Sequence, residues 1–146
     1  MTRIAIFASG SGSNAENIAN YFSSNADVVI SLILTNKENA FVLERAKKLN
    51  IKSLVFNKSQ FLETGDILQF LTKNDINMIV LAGFLLKIPQ NLTSSFSNKI
   101  INIHPALLPK YGGKGMYGDH VHKSVVEQNE TESGITIHYV NEHYDE

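Results

Sequence analysis

The sequence has 146 residues, of which 43% are hydrophobic and 18% are charged, so it is long enough to form one compact domain with its own core. Thirteen basic and fourteen acidic residues give a formal net charge of -1, which argues against the basic field that nucleic-acid-binding proteins use. The absence of cysteine excludes disulfides, thiolate catalysis and cysteine-ligated zinc.

Apolar, β-rich runs alternate with helical patterns along the whole chain. Strands are predicted near residues 3–8, 28–35, 53–56, 78–82, 99–103 and 134–141, and helices near 14–24, 40–49, 60–73 and 120–128. This alternation predicts an α/β fold with a Rossmann-like, open, mostly parallel sheet and helices on both faces. The second and fourth strands are almost continuously apolar, which is typical of central strands covered on both faces.

The first strand also bears on the location of the protein. Its apolar run, Met1–Phe7, soon meets glycines and is too short for a signal sequence or a membrane span. We therefore expect a cytoplasmic protein without membrane association.

A glycine-rich loop, Ser9–Asn14, follows the first strand and opens the first helix. Ser13 and Glu16 have the spacing of a capping box. Because backbone amides and the helix dipole converge at such a loop, it predicts a binding site for phosphate or another anion. A tight turn without any ligand is the structural alternative.

The same loop fits a second kind of site, the dinucleotide fingerprint, through Gly10, Gly12 and Ala15. The second strand, however, ends in Thr-Asn-Lys at residues 35–37, without the acid that would bind a ribose hydroxyl. This pattern favours a monophosphate over NAD.

The fifth predicted strand, near 99–103, carries an Asn-x-His pair at its end and is followed by Pro105 and Pro109. Asn102 and His104 are two residues apart, so they point to the same side of the strand. The carboxyl ends of parallel strands form the ligand crevice of an open α/β sheet. A carboxamide there can stabilise an oxyanion, and an imidazole can transfer a proton near neutral pH.

The histidines are concentrated near the end of the sequence, at His104, His120, His122, His138 and His143. His120 and His122 follow Asp119 and could form a metal site, although a polar surface is the more common role of such a pair. His138 alternates with apolar residues on the last strand. A hydrogen-bonded structural role and a direct role in the site both remain open for it.

The last strand ends in an acidic loop, Asn141–Glu146, which contains Asp145. A carboxylate close to His104 would favour the imidazolium and could hold water for proton transfer. An aspartate near a terminus is usually just solvated, so its role depends on the other residues.

Four blocks together resemble a known family: Ser9–Asn14, Leu81–Ile88, Asn102–Tyr111 and Ser133–Asp145. Over essentially the whole chain they resemble the folate-dependent glycinamide ribonucleotide (phosphoribosylglycinamide) formyltransferases. The second and third blocks are typical of formyl-folate transferases and hydrolases in general. The first block, with its phosphate role, selects the ribonucleotide enzymes among them.

The resemblance implies the formyltransferase fold and an activity. The enzyme would transfer a formyl group from the co-substrate 10-formyltetrahydrofolate to the amine of glycinamide ribonucleotide, in de novo purine biosynthesis and without a metal. It implies three catalytic residues: Asn102 as the oxyanion-stabilising amide, His104 as the proton-transferring imidazole and Asp145 as the carboxylate that tunes it.

The resemblance also implies binding residues. Those for the substrate phosphate are Gly12, Ser13, Asn14 and Lys110. Those for the folate are Leu85, Leu86, Lys87 and Ile88, mainly through backbone groups, together with Asn102. Lys87 lies one place later than the basic residue of many members, and the segment Gly112–Gly118 is longer than in some members; we interpret it as a glycine-rich cover.

Family members continue beyond the position of Asp145 with a further strand and helix. We therefore expect residues 1–146 to form a single formyltransferase domain that lacks its C-terminal part. A homodimer is compatible with these features.

Three alternative functions share part of the pattern. A formyltetrahydrofolate hydrolase normally has an additional N-terminal regulatory domain, and methionyl-tRNA formyltransferase needs a basic surface for RNA. A non-catalytic nucleotide-binding module would need the glycine loop but neither the Asn-x-His segment nor Asp145.

Overall fold

The computed structural model describes residues 1–105, 108, 110, 112, 119–128, 132 and 134–142, and of residues 119 and 120 only the helical backbone. The strands are β1 (Thr2–Phe7), β2 (Val28–Thr35), β3 (Lys52–Val55), β4 (Met78–Leu81), β5 (Ile100–His104) and β6 (Thr136–Tyr139). The helices are α1 (Ser13–Tyr21), α2 (Val42–Lys48), α3 (Lys58–Leu62), α4 (Asp66–Lys73), α5 (Gln90–Ser95) and α6 (Asp119–Glu127). None of these helices has the length and hydrophobicity that a membrane-spanning helix needs.

The six strands form one sheet in the order β3-β2-β1-β4-β5-β6. Strands β1 to β5 are parallel, and β6 is antiparallel to β5. The prediction of an open, mostly parallel sheet is therefore confirmed. The chain moves outward from β1 to β3 and then returns to the other side of β1 as β4, so the strand order reverses there. Ligands of open α/β sheets bind at such a reversal.

Helices cover the sheet on both faces, and a separate apolar core lies under each layer. One core contains side chains from β1 and β2 together with Phe61 of α3, Ile67 and Leu71 of α4 and Leu92 of α5. The other contains Ala15 and Ala19 of α1 and Val42 and Ala46 of α2. Both β2 and β4 lie inside the sheet, as their apolar sequences predicted.

The helices differ from the prediction in two places. The helix predicted over 60–73 is divided into α3 and α4, because Gly65 adopts a φ of 75° and becomes the N-cap of α4. Helix α5 was not predicted. It has only six residues, which is too short for a 3.6-residue periodicity to be recognisable.

Candidate functional site

Asn102, His104 and the start of the glycine loop lie at the carboxyl edge of the sheet, where one row of paired residues crosses five strands. From β2 to β6 this row is Leu34, Phe7, Leu81, Asn102 and His138. Neighbouring strands are roughly 4.8 Å apart, so Asn102 is separated from the end of β1 by two spacings, or about 10 Å. The glycine loop that follows β1 and the Asn-x-His pair therefore lie at the same edge of the sheet.

Strand β5 presents Asn102 and His104 on one face. Ile100, two residues before Asn102, is fully buried in the core that α3, α4 and α5 cover. Because side chains alternate along a strand, Asn102 and His104 extend that face toward the edge of the sheet. Asn102 is half-buried, and His104 is only 3% exposed. The imidazole of His104 is thus shielded from most of the solvent.

His138 is the described side chain that contacts Asn102 across the β5–β6 pair. Asn102 Nδ2 lies 3.2 Å from His138 Nε2, and His138 Nδ1 lies 3.1 Å from the carbonyl oxygen of Tyr139. A carbonyl only accepts and an amide N–H only donates, so both contacts are satisfied when Nδ1 carries the ring proton and Nε2 accepts from the Asn102 amide. The structure therefore gives His138 an orienting contact with Asn102.

The segment after β5 is also held by β6. Thr136 is the register partner of His104, and its Oγ1 accepts a hydrogen bond of 3.0 Å from the backbone N–H of Leu108. The chain that leaves His104 is thereby tied to the edge strand. Both residues of the Asn-x-His pair thus face a polar side chain of β6.

The glycine loop has a closely packed backbone. Gly12 is buried, adopts a left-handed conformation with φ of 76°, and is the N-cap of α1. Ser13 and Asn14, which begin the helix, are exposed. Since the first amides of a helix have no intrahelical acceptor, this turn presents free N–H groups and the positive end of the helix dipole at the edge of the sheet.

The predicted capping box of Ser13 and Glu16 is wrong. The N-cap is Gly12, which has no side chain, and no side-chain cap is present. Glu16 instead accepts a 2.6 Å hydrogen bond from Arg45 Nη1 on α2. The Nε of Arg45 donates to the carbonyl of Ser11 at 2.7 Å, so the same guanidinium supports the loop and the first turn of α1.

This ion pair affects the ionisation of Glu16. The hydrogen bond from Arg45 is the main cause that lowers the pKa of the Glu16 carboxyl below its usual range, and the positive charges of Arg45 and Lys48 add to it. Glu16 therefore stays ionised and paired with Arg45, which keeps its charge directed toward α2.

The segment predicted to bind folate follows β4. Leu85 and Lys87 are exposed, Leu86 is half-buried, and Ile88 is 5% exposed within the core. The buried Ile88 side chain therefore anchors the segment to the core. The backbone N–H of Leu85 donates to Ser9 Oγ at 3.0 Å, so it already has an acceptor within the protein.

Several predicted residues are described only in part or lie outside the described residues. Lys110 is exposed. Asp145 and His143 lie outside the described residues, as does the segment 113–118 of the predicted cover. Of the H-x-H pair, His122 is exposed on α6. Within the described ranges, no three His, Asp or Glu side chains are grouped as metal ligands would be.

Sequence reasoning assigned no role to two side chains that hold the edge of the sheet together, Ser9 and Arg45. Ser9 bonds to residues 27 and 76 positions away, and Arg45 to residues 29 and 34 positions away. Such contacts leave no local pattern. The only available signals were the place of Ser9 in the glycine-loop block and the position of Arg45 on a helix after the second strand.

Comparison with known proteins gives consistent similarities. A family model described as formyl transferase matches residues 2–146. The protein of Arabidopsis thaliana named "phosphoribosylglycinamide formyltransferase, chloroplastic" is 44% identical over 151 residues, covering 98% of this chain and 51% of that protein. The phosphoribosylglycinamide formyltransferase of Haemophilus influenzae is 36% identical, covering 99% of this chain and 68% of that protein.

A solved structure is similar as well. The crystal structure of phosphoribosylglycinamide formyltransferase from Anaplasma phagocytophilum superimposes with a TM-score of 0.87 at 32% identity, covering 99% of this chain and 66% of that one. The chain spans about half the length of the first curated relatives that it matches.

Proposed function

The chain belongs to the formyl transferase family, and from this we propose that it transfers a formyl group from 10-formyltetrahydrofolate to the amine of glycinamide ribonucleotide. This reaction would serve de novo purine biosynthesis. The names of the relatives from Arabidopsis thaliana and Haemophilus influenzae support the choice of this activity within the family.

The observation that carries the proposal is the arrangement at the carboxyl edge of the sheet. The row that joins Phe7, Leu81 and Asn102 puts the end of β1, from which the glycine loop continues, about 10 Å, or two strand spacings, from Asn102. One substrate can therefore place an anionic group at the N-terminus of α1 and a reactive group beside Asn102. A phosphate and an amine on one ribonucleotide match this arrangement.

In the proposed mechanism, the substrate amine attacks the formyl carbon, and the former carbonyl oxygen becomes an oxyanion. One N–H of Asn102 Nδ2 points to His138, which leaves the second N–H of the same nitrogen to donate to the oxyanion. Protonated His104 would be the second donor. It is only 3% exposed, and hydrogen bonds to a developing charge are stronger where water is excluded.

The proton balance needs one further group, for which we propose Asp145. The new bond joins the amine nitrogen to the formyl carbon, and the bond from that carbon to the leaving folate nitrogen breaks. Asp145, directly or through water, would help to move the proton of the attacking nitrogen to the leaving nitrogen.

The binding residues of the proposal are those that the resemblance implied. Gly12, Ser13 and Asn14 would hold the substrate phosphate with backbone amides, and Lys110 would accompany it. The backbone of Leu85–Ile88 would line the folate pocket. Because Leu85 N–H is engaged by Ser9, we propose that the folate uses other backbone groups of this segment.

We also propose three finer points: a cytoplasmic location, a single formyltransferase domain over residues 1–146, and a homodimer. The homodimer is supported by apolar side chains on β6, at the edge of the sheet that the described residues form, where Ile137 and Tyr139 are 64% and 58% exposed. A second copy of the chain could cover such a surface.

The proposal is tested by measuring loss of the formyl group from 10-formyltetrahydrofolate with and without glycinamide ribonucleotide. The assay uses this chain and a version extended at its C-terminus. Formyl loss that requires the amine is the expected result. Formyl loss without the amine would identify a hydrolase instead, and silence of both chains would leave a nucleotide-binding module as the better explanation.

A further inference from the structure

Ser9 lies two residues after the end of β1, at the point where the strand order reverses. It is only 4% exposed, although its side chain is polar. Its backbone N–H donates to the carbonyl of Gly83 at 3.1 Å, which ties the end of β1 to the loop after β4. A buried hydroxyl at this position needs partners, because an unpaired buried polar group is costly.

The hydroxyl of Ser9 has partners on both sides of β1. It donates to Asn36 Oδ1, at the end of β2, at 2.7 Å, and it accepts from the backbone N–H of Leu85 at 3.0 Å. The chain Asn36–Ser9–Leu85 thus joins the ends of three neighbouring strands. Asn36 stands where a dinucleotide-binding protein would have its ribose-binding acid, and here its carboxamide holds the serine instead.

The segment that Ser9 holds is fixed on its other side by aromatic packing. The ring of Phe84, next to Leu85, makes edge contacts with Phe7 and Phe61 at centroid distances of 5.3 and 5.4 Å. The Phe84 ring sets the position of the segment, and the Ser9 bond sets the orientation of the following peptide. Two anchors therefore determine how the backbone of Leu85 faces the crevice.

We propose that Ser9 is a positioning residue for the formyl-folate, acting through the backbone of Leu85 and oriented by Asn36. The inference rests on the proposed function of the chain. Without the hydroxyl, the Leu85 N–H loses its acceptor, and the segment that would line the folate pocket loses its set orientation. The folate site should weaken more than the phosphate site.

The glycine loop, which would hold the phosphate, has supports of its own. The loss of affinity in Ser9→Ala should therefore be selective for folate. The backbone N–H of Val42 donates to the carbonyl of Gly10 at 3.1 Å, and Arg45 Nε donates to the carbonyl of Ser11 at 2.7 Å. Both donors belong to α2, and neither hydrogen bond involves the Ser9 hydroxyl. They should keep the loop in place in a variant that lacks this hydroxyl.

Ser31 provides a matched control. It lies on β2, where the register with β1 shifts between Ile4 and Ala5, and its Oγ is buried without a hydrogen-bond partner among the described residues. Ser31→Ala deletes the same atom as Ser9→Ala from the neighbouring strand, but it breaks no bond between strands.

The experiment measures dissociation constants of 10-formyltetrahydrofolate and of inorganic phosphate for the wild type, Ser9→Ala, Asn36→Ala, the double variant and Ser31→Ala. We expect Ser9→Ala to weaken folate binding by about tenfold or more, the effect of leaving a partly buried N–H without its acceptor, and to change phosphate binding less than about twofold. Asn36→Ala should weaken folate binding by a smaller factor than Ser9→Ala. The double variant should bind folate as weakly as Ser9→Ala alone. Ser31→Ala should match the wild type.

The outcomes separate the inference from the function on which it rests. If the wild type binds no folate, the proposed function fails, and the inference fails with it. If the wild type binds folate but Ser9→Ala binds it equally well, or loses folate and phosphate affinity together, the inference alone is overturned. Should Ser9→Ala not fold, Asn36→Ala decides: a selective loss of folate affinity supports the inference, and no loss overturns it.

Discussion

The chemistry of the proposed site depends first on the carboxamide of Asn102. Replacing it with alanine removes one oxyanion donor, which typically raises the barrier by about 2.7–4 kcal/mol. We therefore expect Asn102→Ala to slow turnover by roughly a hundredfold or more, with a much smaller effect on the free energy of unfolding. Single-turnover kinetics and chemical denaturation measure the two effects. Wild-type turnover in both Asn102→Ala and His104→Ala would show that the site is assigned wrongly.

His138 should act through Asn102 and not on its own. His138→Ala removes the acceptor at 3.2 Å that orients the Asn102 amide, so we expect kcat to fall by about tenfold, the effect of one lost hydrogen bond. His138→Ala should cause little further loss in the Asn102→Ala background. His122→Ala, an exposed histidine on α6, is the control. Equal rates for His138→Ala and His122→Ala would remove His138 from the site.

At the scale of elements, the turn between β1 and α1 depends on Gly12. Its φ is +76°, and an added Cβ would lie 2.6 Å from Val42 Cβ and 2.9 Å from Val42 Cα. Gly12→Ala should therefore destabilise the fold by about 2 kcal/mol or more, through backbone strain and the contact with α2.

Gly10→Ala is the matched control for this prediction. An added Cβ at Gly10 would meet no atom within 4 Å. We expect its free energy of unfolding to stay within about 0.5 kcal/mol of the wild type. Chemical denaturation of both variants tests the prediction, and equal stability of Gly10→Ala and Gly12→Ala would contradict it.

The ion pair between Glu16 of α1 and Arg45 of α2 should make the free energy of unfolding depend on pH in the acid range. Because the folded-state pKa of Glu16 is lowered, mainly by the hydrogen bond from Arg45, its contribution is fully present above the unfolded-state value of about 4.3. That contribution is lost as the pH falls through the lower folded-state value. The stability advantage of the wild type over Glu16→Gln should therefore shrink on acidification.

Thermal denaturation between neutral and acid pH measures this difference. Glu44→Gln, which removes an exposed carboxylate of α2 that has no ion pair among the described residues, is the control. A constant gap between the wild type and Glu16→Gln at all pH values would show that the ion pair does not support the loop.

At the scale of the whole molecule, the proposed homodimer predicts a particle of twice the 16.2 kDa chain mass in sedimentation equilibrium. Tyr139→Lys should shift the protein to the monomer, because a charge on the exposed face of β6 would be buried in the interface. Val126→Lys, at a 74% exposed apolar position on α6, should leave the assembly unchanged. A monomeric wild type at high protein concentration would rule the homodimer out.

Most of the sheet could be predicted from the sequence, because its strands are short apolar runs separated by clear turn signals. The Asn-x-His pair could be placed for the same reason, since alternation along one strand decides which side chains share a face. One prediction failed because a distant residue competes: Glu16 pairs with Arg45, 29 positions away, and does not cap its own helix. Another failed for a local reason, because Gly65 divides a helix that periodicity alone makes continuous.

The position of His138 has a consequence for how activity should be lost on heating. It lies on β6, a four-residue strand at the edge of the described sheet, whose hydrogen-bonding neighbour in the sheet is β5 alone. Edge elements with few neighbours fray by local unfolding at a lower free-energy cost than interior strands. A temperature that opens β6 would release the Asn102 amide while β1 to β4 stay folded, so inactivation should precede the melting of the protein as a whole.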